Sequence, residues 1–386
     1  MGKEKTNTKR TILTVIILVA GLAFLLWSAL FDWNKINQYK AYDTSSITYT
    51  KAKVIKVLKN DVEIDPLDKG RVLGGQTLKV KLLEGKNKGK VLEVDNSITE
   101  LHNVYAKKGA TILICADEPE GVTPYYTVYN YYREPGIGAL VMVFAAAMLF
   151  VGRKKGFRAL LGLAYTMGVV VFFTIQAIYH GFSPYTVAFI TIFVSSIISL
   201  ILLNGISKRS ACGMAGTLLG TLFVGALTLI FNAIFHINGF NTTDADSLQL
   251  VNQVTGLSLQ KLLFATVLIS ALGAVMDVAV SLTASLDELI TVNPNLTKTE
   301  IIQSGMNIGK DMIGTMSNTL ILAFAGSGMT MMLSLISFGY SLRQFLSSDY
   351  FAVEMSQGIC STIGVIITVP ITSIICAFVL NKADEH

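Results

Sequence analysis

Residues 261–285 read KLLFATVLISALGAVMDVAVSLTAS, an apolar run with one acid, Asp277, and no proline. Residues 312–333, MIGTMSNTLILAFAGSGMTMML, repeat the design with an amide, Asn318, at the same depth. About twenty consecutive apolar residues are what a helix needs to cross a hydrocarbon core. A carboxyl group at that depth is costly unless it faces protein or a wet path, so it counts as a functional candidate by default. These two runs set both the class and the first candidate site.

The rest of the chain agrees. It is 52% hydrophobic with a mean hydropathy of +0.56, while charged residues make up 15% against the usual quarter. Apolar runs of spanning length occur at Thr11 to Phe31, Gly136 to Gly152, Ala159 to Ile178, Pro184 to Leu203, Ala211 to Phe235, Lys261 to Ser285, Met312 to Phe338 and Gly358 to Leu380. The expected fold is therefore mainly α, a polytopic membrane helix bundle of about eight spans. Domains are expected at 1–31 (tail and anchor), 32–135 (polar region) and 136–386 (seven-span bundle).

Orientation follows from the cations. MGKEKTNTKR precedes a first span with no small-residue cleavage site after it, so the span reads as a retained anchor and the amino terminus as cytoplasmic. Alternation then places RKKGFR (153–158), SKR (207–209) and the Lys298/Lys310 segment inside, and the loops near Gly181, Asp244 and Asp349 outside. The tail NKADEH returns to the cytoplasm. The net charge of +5 is thus a sign of basic cytoplasmic loops and not of nucleic-acid binding.

Residues 32–135 change period. ITYTKAKVIKVLK, RVLGGQTLKVKLL, GKVLEVD, ATILICAD and YYTVYNYY alternate apolar and polar residues between Gly, Asn, Asp and Pro breakers, the signature of short strands. Five of them suit a small extracytoplasmic barrel of the OB type, translocated irrespective of its own charge. Its lysines and the YYTVYNYYR run admit two readings: a groove for an anionic polymer, or strand packing plus an aromatic belt at the membrane surface. The second is the more economical.

Steps of three and four residues place Ser270, Gly273, Asp277, Ser281, Ala284 and Glu288 on one helix face, and Asn307, Asp311, Thr315 and Asn318 on one face of the next. Neither face suits lipid, so the two are expected to meet or to share a wet cavity. Asp277 reads as a proton or cation carrier in a relay with Asn318, Thr315, Ser317, Ser281 and, before the last span, Glu354. Its structural alternative is a buried carboxyl hydrogen-bonded to Asn318, Ser317 or Thr315. Between the two helices, Thr297-Lys298-Thr299-Glu300 is a capping box that starts a helix near Lys298. Gly305, Gly309 and Gly314 then mark either an interruption of that helix or a close crossing, and Gly273 belongs with them. Gly216 and Gly220 in GTLLG have the small-xxx-small spacing of tight helix packing.

Several functions are excluded or left without support. Cys115, Cys212, Cys360 and Cys376 show no CxxC spacing, and the four histidines (102, 180, 236, 386) are not paired at ligand spacing, so neither metal nor cofactor is expected. HExxH, GxSxG and a phosphate loop are missing, and no second membrane aspartate completes a protease dyad. No enzyme activity is expected.

At these residues the chain resembles the YibE/F family of bacterial multispanning membrane proteins. GAVMDVAVSLTASLDEL (273–289), GKDMIGTMSNTLILAFAG (309–326) and GICSTIGVIITVPITS (358–373) carry the likeness, with RVLGGQTLKVKLLEGKNKGK and YYREPG in the polar region. The resemblance implies a permease-like bundle in the bacterial cell membrane and, since members occur as adjacent paired genes, a paralogous membrane subunit or homo-oligomer as partner besides the lipid bilayer. It departs at Gln357-Gly358, where many members carry a basic residue that would pair with Glu354. A fainter likeness joins residues 273–370 to the last membrane helices of the protein-translocation motors SecD and SecF. The leading expectation is an ion-gradient-coupled transporter or permease subunit of unknown small-molecule substrate. The other is a non-transporting membrane assembly factor whose exterior barrel binds a partner.

Overall fold

Period-two alternation does become a barrel. The computed structural model of the chain describes residues 2–33 (2–9 as backbone), 46–85, 87–119, 121–239, 252 and 256–381. Most of the acidic loop around Asp244, the side chains of the amino-terminal KEKTNTK and all but the first residue of the NKADEH tail lie outside them. The chain forms two compact units, residues 42–147 and the remainder, so the first part of the helix that follows the barrel groups with the barrel instead of with the bundle.

In residues 42–147, β1 (Ile47–Ile64), β2 (Val72–Leu82), β3 (Val91–Ile98), β4 (Thr111–Asp117) and β5 (Tyr125–Tyr131) close in the order β1-β2-β3-β5-β4. All pairs are antiparallel except β3 with β5, which run parallel at Asp95↔Thr127. Alternate residues Ala52, Val54, Leu78, Val80, Val94, Ile112, Ile114 and Val128 point inward and are buried. The β3–β4 connection plugs the barrel with Val104 and Ala106. A buried amide ladder holds that plug: Asn96 Nδ2 donates to Val104 O (2.7 Å) and Gln76 Oε1 (3.0 Å), and Gln76 Oε1 also accepts from Ala106 N (3.0 Å). Pairing makes these buried amides tolerable, although Asn96 Oδ1 has no partner among the described residues. The tyrosines are likewise tied down, Tyr126 Oη to Glu118 (2.7 Å) and Tyr131 Oη to Tyr105 O (2.8 Å). Burial and the Glu118 carboxylate push the Tyr126 phenol up to about 12.

The β1–β2 turn is held by a buried acid. Asp65 accepts from Leu67 N (2.8 Å) and from Arg71 Nε (2.6 Å), and forms an ion pair with the Arg71 guanidinium. The Leu67 amide first and Arg71 second hold its carboxyl below the usual carboxylate range. A folded value below the unfolded one means that the contribution is complete above the unfolded pKa of about 3.9 and fades as pH falls through the folded value. Protection of the Leu67 amide from hydrogen exchange, taken relative to the intrinsic rate at each pH, is therefore expected to fall in acid, and Asp65→Asn should flatten that dependence. A turn equally protected in acid and at neutrality would refute this.

The other unit is helical: α1 (Gly2–Leu30), α2 (Glu134–Tyr179), α3 (Pro184–Asn204), α4 (Lys208–Ile234), α5 (Leu259–Val292), α6 (Lys298–Ser337), a short α7 (Leu342–Leu346) and α8 (Asp349–Val379). Among the described residues seven helices are long and apolar enough to cross a membrane. The expected second and third spans are joined in α2, which breaks at Arg153 (φ 46°, ψ −126°) inside the RKKGFR run. Left-handed backbone at an arginine is uncommon, and it separates the two apolar runs without a loop. Past Gly168 the helix widens into a π turn, Val169–Thr174. α6 starts as anticipated, with Thr297 and Glu300 forming the reciprocal capping box.

α8 is the hub. Cys360, Gly364, Thr368, Thr372 and Cys376 recur every fourth residue and are all buried. A Cβ built at Gly216 would collide with Thr372 Oγ1, one at Gly220 with Thr368 Oγ1, and one at Gly364 with Val224. On another face, Gly305 abuts Ser373 and Gly309 abuts Val369. α4 and α6 each present glycines four apart so that their backbones can approach α8. Gly305 and Gly309 therefore mark a crossing, and α6 runs through them without interruption. Two of the hub's hydroxyls are absorbed locally, Thr368 donating to Gly364 O (2.7 Å) and Ser373 to Val369 O (2.8 Å), which makes them compatible with an apolar setting, whereas Ser361 Oγ and Thr372 Oγ1 are buried without a partner among the described residues.

Candidate functional site

Asp277 lies in the middle of α5, with Leu272, Val275, Val278, Ala279 and Leu282 turned into the core beside α4 and α8. Its own face, with Ser270, Gly273 and Ser281, is exposed along one wall of a cavity of about 510 Å³. The other walls come from α2 (Gly162, Thr166, Val170) and α3 (Thr191, Ser199, Leu203). Two hydroxyl pairs clasp those helices: Thr166 Oγ1···Ser199 Oγ at 3.3 Å and Thr174 Oγ1···Thr191 Oγ1 at 2.6 Å. Gly162 lets α3 come close, since a Cβ there would lie 3.6 Å from Ser199 Cα. Thr174 also donates to Val169 O (3.3 Å) across the π turn, a helix irregularity that recurs at functional sites. Among the described residues the Asp277 carboxylate accepts no hydrogen bond from protein.

This differs from the expected meeting of two polar faces. Asn307, Asp311, Thr315 and Asn318 lie on an exposed face of α6 and none of them lines the cavity. Thr315 donates within its own helix, to Met312 O (3.1 Å), and Ser317 Oγ is buried without a partner. The buried-carboxyl alternative, in which those groups hold Asp277, is not realised either. Glu354 is half-buried and sits with Tyr350 beside Gly328 of α6, away from the cavity lining. Gly273 and Gly314 have open space where a Cβ would be, so they pack against nothing, unlike Gly216, Gly220, Gly305 and Gly309. The physical reason is that α6 reaches the bundle mainly through α8, leaving its polar stripe outward, whereas α5 turns its stripe toward α2 and α3.

Of the residues first singled out, the structure brings Asp277, Ser281 and Gly273 to one cavity and leaves Asn318, Thr315, Ser317 and Glu354 elsewhere. It adds Thr166, Thr191 and Ser199. Their signal was present: Thr191, Ser195 and Ser199 recur every fourth residue in an otherwise apolar run, as do Gly162 and Thr166. No group of three or more His, Cys, Asp or Glu among the described residues is placed to hold a metal.

The model of the family described as YibE/F-like protein matches residues 140–382. The chain belongs to the YibE/F-like family. The matched residues hold the whole cavity and the α8 hub, and they begin after β5, so the barrel lies outside the YibE/F-like match. No curated protein and no solved structure matches the chain.

Proposed function

We propose that this YibE/F-like chain is a polytopic membrane protein that couples an ion gradient to transport, as a transporter or permease subunit, with Asp277 binding and releasing the coupling proton or cation. The carrying observation is the cavity. Asp277 is the single carboxylate of a mostly apolar lining to which α2, α3 and α5 each contribute hydroxyls, and among the described residues it accepts no hydrogen bond from protein. A charge kept in such surroundings without a salt bridge needs water or an exchangeable cation. The π turn in α2, whose Val170 lines the cavity, supplies irregular backbone there, as expected where a helix lines a path. In this reading the bundle sits in the cell membrane of a bacterium with both termini cytoplasmic. The barrel is extracytoplasmic and, by its five-strand closed order, of the OB type. The substrate is a small molecule.

The test is proton-linked flux in vesicles carrying wild-type, Asp277→Asn or Asn318→Ala protein. Loss with Asp277→Asn and retention with Asn318→Ala supports the reading. Retention in all three would end it.

A second reading draws on α6. Its exposed stripe of amide, carboxyl and hydroxyl groups is a poor lipid-facing surface, and a paralogous subunit or a second copy would cover it. In a non-transporting assembly factor that contact, with partner capture by the barrel, is the function, and Asp277→Asn is then silent.

A further inference from the structure

We propose that the end of the barrel from which the chain enters α2 docks onto the bilayer interface, with Ile64, Leu67 and Leu101 reaching the boundary between head groups and acyl chains. This rests on the reading of α2 as a membrane helix.

Strand direction fixes which residues share that end. β1 and β3 are both antiparallel to β2, and β3 is parallel to β5, so β1, β3 and β5 all run toward the same end of the barrel. β1 finishes in the 65–71 turn, β3 in the 99–103 turn, and β5 at Tyr131, just before Glu134 opens α2. The turns are neighbours: Ile64 is paired with Val72, and Asn103 Nδ2 donates to Val72 O (2.6 Å). On these turns Ile64 is 67%, Leu67 90% and Leu101 102% exposed.

Solvated turns normally carry polar side chains, so three aliphatic ones in the open, at one end, call for a cover. The Asp65–Arg71 lock gives Leu67 a fixed pose, and a preordered tip inserts without a further entropy loss. Exposed Lys69 and the acids Asp68 and Glu100 stand beside the leucines, and exposed Lys107 and Lys108 with half-buried Tyr131 and Tyr132 lie near the start of α2. Aliphatic tips with tyrosine and lysine nearby have the composition of an interfacial anchor. A bilayer is favoured over a protein pocket because the same end continues into an apolar helix whose Ile137, Leu140 and Val141 are themselves exposed.

The test uses the full chain in vesicles of phosphatidylcholine and phosphatidylglycerol. A nitroxide is placed at Leu67→Cys, Leu101→Cys, Val122→Cys or Val141→Cys, with half-buried Cys115 replaced by serine and the three buried cysteines kept. Val122 is exposed in the β4–β5 turn at the opposite end. Collisions with oxygen, which partitions into lipid, are compared with those of an aqueous nickel chelate. Oxygen should dominate at 67, 101 and 141, and nickel at 122. Nickel dominance at 67 and 101, with oxygen still dominant at 141, overturns the docking alone. Nickel dominance at 141 overturns the membrane reading of α2 and the docking with it. Labels at 67 and 101 shielded from both reagents indicate a protein cover and also overturn the proposal.

Discussion

Asp277→Asn protein, correctly inserted, is expected to lose proton-linked flux entirely while losing no stability. An amide occupies the same volume but does not titrate near neutral pH, so a titrating carrier is abolished by the change. Stability separates this from a structural role. Breaking a buried ion pair by removing one partner ordinarily destabilises by about 3–5 kcal/mol, but among the described residues the Asp277 carboxylate has no ion-pair partner to strand. On insertion scales an aspartate at a helix centre costs roughly 3 kcal/mol, so Asp277→Leu should raise the melting temperature in detergent. A fall with either substitution, together with intact flux, would identify Asp277 as a bundle strut.

The largest expected loss of stability is at the α8 hub. Gly309→Val drives a side chain into Val369, and Gly220→Val drives one into Thr368 and Val275. Overpacking of this kind costs about 1–3 kcal/mol per site. The two sites lie on different faces of α8 and should add, so the pair removes roughly 2–6 kcal/mol from a total that is commonly 5–15. Thermal unfolding in detergent checks this. Gly314→Val and Gly273→Val, where a Cβ meets open space, should leave the melting temperature within error. Val369→Ala should rescue Gly309→Ala. Equal damage at all four glycines would mean that helix propensity, and not the crossing, sets the effect.

Much of the fold was legible because two periods carry it. Alternation at steps of two located all five strands within a few residues, since only one strand face can enter a barrel, and β1 merely continued further, to Ile64. Apolar length located the helices, and the capping box fixed where α6 begins. What a one-dimensional pattern lacks is the neighbour. The stripe through Asp277 was correctly seen as unsuited to lipid, but a stripe does not say which helix it meets. The meeting with the Asn318 face was expected because neither stripe suits lipid, and long helices that pack through a third, here α8, defeat that inference. The hub's signal was present in the four-residue recurrence from Cys360 to Cys376, but hydroxyls in apolar helices so often satisfy themselves on the preceding turn that such a repeat does not by itself mark a crossing. At Arg153 the basic run was read as a loop between spans. There a kink at one non-helical residue, without a loop, separates two helical segments.

The central claim is that Asp277 opens onto a wet, hydroxyl-lined cavity and not onto acyl chains. Reaction of Asp277→Cys with a charged, membrane-impermeant thiol reagent in sealed vesicles measures this directly, with Leu222→Cys and Ile230→Cys, exposed on the apolar surface of α4, as references. Rapid modification at 277 and none at 222 or 230 is the predicted result. If 277 proves as inert as the α4 positions and is modified only by a lipid-soluble maleimide, the cavity holds no water and the carboxylate has no route for an ion.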